Sequence, residues 1–265
     1  FLDFVLNDTF DEGAIRFNLH YSDNVSSNLL RRVAERIGSK IEECEPDILQ
    51  NQLKEPINAP DSTLVVEVDG SMISTRKGWK EAKIGVISIL GDNKNTRYTA
   101  TFSTQNDFED AIDESMTSHV MNRPKNVVWL GDGASGYWSI ANRICPDAIE
   151  ILDWYHAIEH VAKCGNILFP DDLNMSHLWT SVIKDRLMCD QVDILITEIE
   201  SCFFLAMNKA QEEELKSLKR YFTNNSHRMK YNTYRKNNWP IGSGRVESAH
   251  RHVIQKRMKR AGQHW

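Results

Sequence analysis

The spacing of apolar residues changes three times along the chain. In the first sixty residues it is helical. Leu29, Leu30, Val33, Ile37 and Ile41 recur on one face behind a capping Ser26 or Ser27, and a shorter helix near Asp11–Leu19 precedes the turn-like SDN. Two helices joined by a short turn could be the remnant of a DNA-binding helix-turn-helix, although a plain helical lead-in fits a lone pair better. KEPINAPDS, with two prolines, reads as a linker. From Ser62 the period becomes that of strands. STLVVEVDGSMI is β-branched and should end at its Asp-Gly turn, with AKIGVISIL and RYTATFS following as second and third strands. NDFEDAIDESMTSHVM reads as an amphipathic helix capped by Asn106 or Asp107. NVVWLGDG is a short apolar strand of the buried central kind, GYWSIANRI a short helix, and AIEILDWYH a fifth strand with Asp153 at its end. Beyond His156 the pattern is helical to about Lys236. NNWPIGSG then breaks it, and RVESAHRHVIQKRMKR forms a last helix.

The order β-β-β-α-β-α-β is that of an α/β, ribonuclease-H-like fold, in which three antiparallel strands are extended by two parallel ones to give a five-stranded mixed sheet. The expected organisation is a helical segment over residues 1–60, a catalytic domain built from 61–160 and 238–265, and a helical insertion over 161–237. Composition does not disturb this picture. The chain has 265 residues, 41% apolar and 26% charged, ordinary values for a globular protein. No apolar run approaches the ~20 residues of a membrane helix. The opening FLDFVLNDTF is too short and too acidic for a signal peptide, and the absence of an initial Met fits a fragment. Five scattered cysteines without C-x-x-C point to reduced thiols in a cytoplasm.

Charge does change the picture. Between Lys216 and Trp265 there are thirteen Lys/Arg and a single acid, Glu247, whereas the whole chain carries a net charge of -5. A basic C-terminal fifth on an acidic body suggests a polyanion-binding face. Asp69 and Asp132 each stand before a Gly at the predicted end of a strand, and the strands that carry them should be adjacent and parallel. Two carboxylates brought that close repel unless a divalent cation lies between them. Asp-Gly is also a common turn dipeptide, so each Asp could simply start a turn. Glu247 could likewise be a first-turn residue favoured by the helix dipole. Arg251 lies one turn beyond it, and Arg245, Lys256, Arg257, Lys259 and Arg260 would supply phosphate-binding charge nearby.

VDGSMI, WLGDGASGYW, DWYHAIEH and WPIGSGRVESAHRHVIQKRMKRAGQHW together resemble the DDE transposases of bacterial insertion sequences, in particular the ISKra group and more broadly the Mutator-like transposases. The resemblance runs from about Ser62 to Trp265. It implies that Asp69, Asp132 and Glu247 are the catalytic and metal-binding D, D and E, spaced 63 and 115 residues apart. It implies two Mg²⁺ (or Mn²⁺) ions, hydrolysis at transposon ends and strand transfer into target DNA. Asp153 and His156 resemble a C/D-x-x-H motif that helps position DNA. The implied partners are double-stranded DNA and further copies of the chain in a synaptic complex, in a bacterial cytoplasm at the nucleoid. Members of the family usually extend further at both ends, which leaves a truncated copy, binding DNA without cutting it, as an alternative. A junction resolvase of the same fold is another. A zinc metallopeptidase is the third, because His156, Glu159 and His160 form H-x-x-E-H. That reading leaves the basic segment and the paired Asp-Gly motifs unexplained.

Overall fold

The computed structural model describes residues 2–52, 56–75, 77–92 and 94–259. Three helices open the chain: α1 (Leu2–Asn7), α2 (Phe10–Tyr21) and α3 (Ser27–Gln52). Thr9 and Glu12 form a reciprocal capping box that starts α2. Phe4, Phe10, Ala14, Phe17, Val25 and Leu30 make a small apolar cluster of their own. Of the stripe expected on α3, Leu30 is buried while Leu29 and Ile41 are exposed.

The sheet follows: β1 (Thr63–Thr75), β2 (Gly78–Ile89) and β3 (Thr96–Thr101), then α4 (Gln105–His119), β4 (Asn126–Gly131), α5 (Ser135–Ile144) and β5 (Ile149–Leu152). The molecule is α/β, with one five-stranded mixed sheet in the order β3-β2-β1-β4-β5. β2 is antiparallel to β1 and β3, whereas β4 runs parallel to both β1 and β5. The linker is tied down where Ile57 bridges Val120 and where the Lys125 amide donates to the Pro60 carbonyl at 2.8 Å.

Three boundaries differ from expectation. β5 stops at Leu152 rather than His156, because Asp153 caps a helix that already includes Trp154, Tyr155 and His156. Asp69-Gly70 is not a turn. β1 runs on through it, its register with β2 unbroken from Leu64↔Ile89 to Thr75↔Gly78, because apolar alternation continues to a fully buried Ile73. Gly70 serves close approach instead, since a Cβ there would collide with the Tyr137 hydroxyl and the Glu81 carboxylate. α4 is capped by Thr104, with Asp107 at its third position completing a capping box, rather than by Asn106 or Asp107.

Helices fill the rest: α6 (Trp154–Leu168), α7 (Leu173–Met188), α8 (Val192–Ser201), a 3-10 turn (Cys202–Leu205), α9 (Lys209–Asn225), α10 (Tyr231–Lys236) and α11 (Gly244–Ala249). The expected last helix is not uniform. It passes into a π-helical stretch, His250–Gln255, before a final turn, α12 (Lys256–Met258). The helical insertion does not pack on its own. Leu215, Leu218, Phe222 and Tyr231 share one apolar core with Trp129, Leu130 and Leu152 of the sheet. No helix among the described residues is long and apolar enough to cross a membrane, and the five cysteines are free.

Candidate active site

Around the carboxyl ends of β4 and β5, and beside them in the middle of β1, five titratable groups gather. Asp69 lies in β1, two residues after the buried Glu67 on the same face of the strand. Asp132 directly follows β4, and its Oδ1 accepts the Ala134 amide at 2.9 Å. Asp153 caps α6, and its own amide donates to the Gly131 carbonyl at 2.8 Å, which extends the β4–β5 pairing and sets it beside Asp132. His156 and His250 complete the group.

Burial raises the Asp69 carboxyl above the usual carboxylate range; His250, His156 and the Gly70 amide oppose this, and the charge of Asp132 reinforces it. Asp69 and Asp132 therefore sense one another, as adjacent parallel strands require. His250 is 2% exposed, with Nε2 at 3.3 Å from Asp69 Oδ2, yet neither ring nitrogen has hydrogen-bonding geometry. The contact is an ion pair when the ring is protonated. His250 drew no attention in the sequence, where it was one His in a basic helix. Only the packing of the last segment against β1 reveals it.

Asp153 is wholly buried, and both its oxygens are taken by backbone amides, those of His156 (2.9 Å) and Ser243. These bonds hold its carboxyl below the ordinary range against the cost of burial. Of this pair, only His156 keeps a partly exposed side chain. Its Nδ1 lies 3.5 Å from Asp153 Oδ1, too oblique for a full hydrogen bond, and the carboxylate raises its pKa to about 9. The zinc arrangement would need His156 and His160 to converge on one ion. His160 instead stacks on Tyr221, ring centroids 4.1 Å apart.

The segment before α11 is fastened from two sides. Asp153 holds the Ser243 amide, and Glu67 accepts the amides of Arg245 (3.1 Å) and Val246 (3.0 Å) at the start of α11. Trp154 donates to the Ile241 carbonyl, and Gly242 lies so close to the Tyr155 ring that a Cβ would meet it at 2.7 Å. Glu67 is 2% exposed, and burial lifts its pKa to about 7 although both amides and Arg245 favour its charge. This segment presents Glu247, which is exposed; its carboxylate lies 3.4 Å from the Ser243 hydroxyl. Among the described residues no three His, Cys, Asp or Glu side chains lie close enough to hold one ion.

The expected phosphate-binding cations separate. Arg245 turns inward and donates to the buried Ser88 hydroxyl, and Lys259 reaches Ser71. Arg251 and Lys256 are exposed. The Arg257 side chain and all of Arg260 lie outside the described residues.

No family model and no curated protein matches the sequence. Among solved structures, the chain aligns with a crystal structure of NurA bound to dAMP and manganese at 12% identity over 88% of this chain. A second NurA structure aligns at 13% identity over 86%. The chain spans about half the length of either, covering 47% of each NurA chain. Both TM-scores are 0.14, too low for fold or function to be argued from the likeness.

Proposed function

We propose that the chain is the catalytic part of a DDE-type transposase with a ribonuclease-H-like core, cleaving transposon-end DNA and joining it to target DNA. One observation carries the reading: Asp69 and Asp132 stand at neighbouring parallel strands, near enough for the charge of Asp132 to help raise the Asp69 carboxyl. Ligand and phosphoryl-transfer chemistry in open sheets gathers at the carboxyl ends of such strands. Support for the fold comes from the strand order 3-2-1-4-5 with β2 antiparallel.

The two aspartates fit a hard divalent cation, Mg²⁺ or Mn²⁺, since both offer carboxylate oxygen and their repulsion would be relieved by it. When bound, such ions activate water or a 3′-hydroxyl and stabilise the leaving oxygen. Glu247 is the expected third ligand. It rides on the segment that Glu67 and Asp153 clamp. The chain's own residues orient the site: Asp153 fixes His156, and His156 offers a positive charge beside Asp132 to a phosphate. Double-stranded DNA and a second copy of the chain are the proposed partners, in the bacterial cytoplasm.

The test is Mg²⁺- or Mn²⁺-dependent cleavage of DNA bearing the element's ends. Asp132→Asn should reduce it at least a hundredfold, and undiminished cleavage would overturn the assignment. Tight DNA binding with no nicking by the unaltered chain in either metal would establish the non-catalytic reading instead.

A further inference from the structure

The basic charge that matters beyond the last helix lies on α9. Two cavities, of about 600 and 510 Å³, flank this helix and adjoin at Arg220 and Asn224, which line both; together they are called the groove. Each is in the size range of a ligand site, roughly 300–1,000 Å³. The far cavity takes Lys216, Lys219 and Phe203, with Glu200 as its acid. The near cavity holds Arg228, His160 and Tyr221 and ends at Gly133, one residue from Asp132. The Tyr221 hydroxyl donates to the Asp132 carbonyl at 3.2 Å, and a Cβ at Gly133 would press on its ring at 3.1 Å. The groove therefore abuts the candidate active site.

Charge along it is sorted. The lining carries four Lys/Arg against one acid, on a chain whose net charge is -5. Lys216 and Lys219 are paired with surface glutamates, and Arg228 is pinned by Glu150 over the Trp138 ring. Arg220 has no ionic or hydrogen-bonding partner among the described residues and stands exposed where the two cavities meet. Ser135 opens α5 on the near wall and brings the positive end of that helix to the same place.

We infer that this groove binds one strand of DNA by its phosphate backbone, with Arg220 as the phosphate anchor, and leads that strand to Asp132. A positive channel with an occasional aromatic face is the usual platform for a single strand. The inference rests on the nuclease reading for where the strand goes, but its test does not need cleavage. Binding of a fluorescein-labelled single-stranded 20-mer, and of the same sequence as duplex, is measured by anisotropy in EDTA across a salt series. Arg220→Glu should weaken single-strand binding about tenfold or more and reduce the slope of log K against log salt by about 0.7. Asn224→Asp, one turn away, should weaken it in the same direction. Lys125→Glu, at the opposite end of β4, is the charge control and should have a smaller effect. Unchanged affinity and slope in Arg220→Glu, a loss equal to that of the control, or no binding by the unaltered chain would each overturn the groove. Asp132→Asn is read by cleavage alone, which should fall at least a hundredfold. If it cleaves normally while Arg220→Glu still loses strand binding, the active-site assignment falls and the groove stands.

Discussion

His156 and Asp153 illustrate how a short motif divides its work. The carboxylate is spent on backbone amides and on holding a charge; the imidazolium faces outward. A histidine whose folded pKa is raised contributes stability below its unfolded value, near 6.5, and loses it as pH rises through the folded value, about 9. The His156 ring proton should accordingly titrate near 9 by NMR. In Asp153→Asn it should move back toward 6.5, and an unmoved titration would mean that other charges hold it. Asp69 makes a different prediction. Its carboxyl is strained by burial and by Asp132, so removing the neighbouring charge should help the metal-free fold. Asp132→Asn should raise the denaturant midpoint in EDTA, as residues tuned for function commonly do when neutralised. A fall in denaturant midpoint would contradict that.

At the scale of elements, the docking of α11 depends on Glu67. Its folded pKa of about 7 lies above the ordinary glutamate value of 4.5, so between these pH values the folded protein keeps a proton there that the unfolded chain has lost. Stability should therefore fall as pH rises from 4.5 to 7, by about 3 kcal/mol for this group. Glu67→Gln keeps an acceptor for the two amides and should flatten that slope in urea titrations at successive pH values. Glu67→Leu strands the Arg245 and Val246 amides and should cost roughly 1–3 kcal/mol at every pH. Equal behaviour of the two variants would show that the amides do not need the carboxylate.

At the scale of the molecule, the apolar core joins the sheet to the helices inserted before α11. Phe222 and Leu215 belong to the same cluster as Trp129 and Leu152. Phe222→Ala should cost about 3–5 kcal/mol. A chain in which residues 161–237 are replaced by a short linker should lose cooperative unfolding altogether by circular dichroism. A cooperative melt in that truncated chain would show that the sheet stands alone.

Much of this was legible along the chain. The change of period from helix to strand and back located the five strands and the helical run beyond His156, because local periodicity reports which face is buried wherever one face is. NVVWLGDG ends where its apolar run ends, which places Asp132 at a strand end; AIEILDWYH is too long a reading, because Asp153 caps α6 and Trp154, Tyr155 and His156 form its first turn. Residues 69 and 70 were misread. A turn dipeptide is a local signal, and the pairing with β2 overrode it. Glu67 and His250 looked like an unremarkable strand acid and one more histidine in a basic helix; their burial arises from contacts between residues more than 170 positions apart. Arg245 and Arg220 carry the same charge and cannot be told apart in a list of cations. Tertiary packing turned the first toward Ser88 and left the second facing a groove, because the direction of a long side chain is set by its neighbours in space.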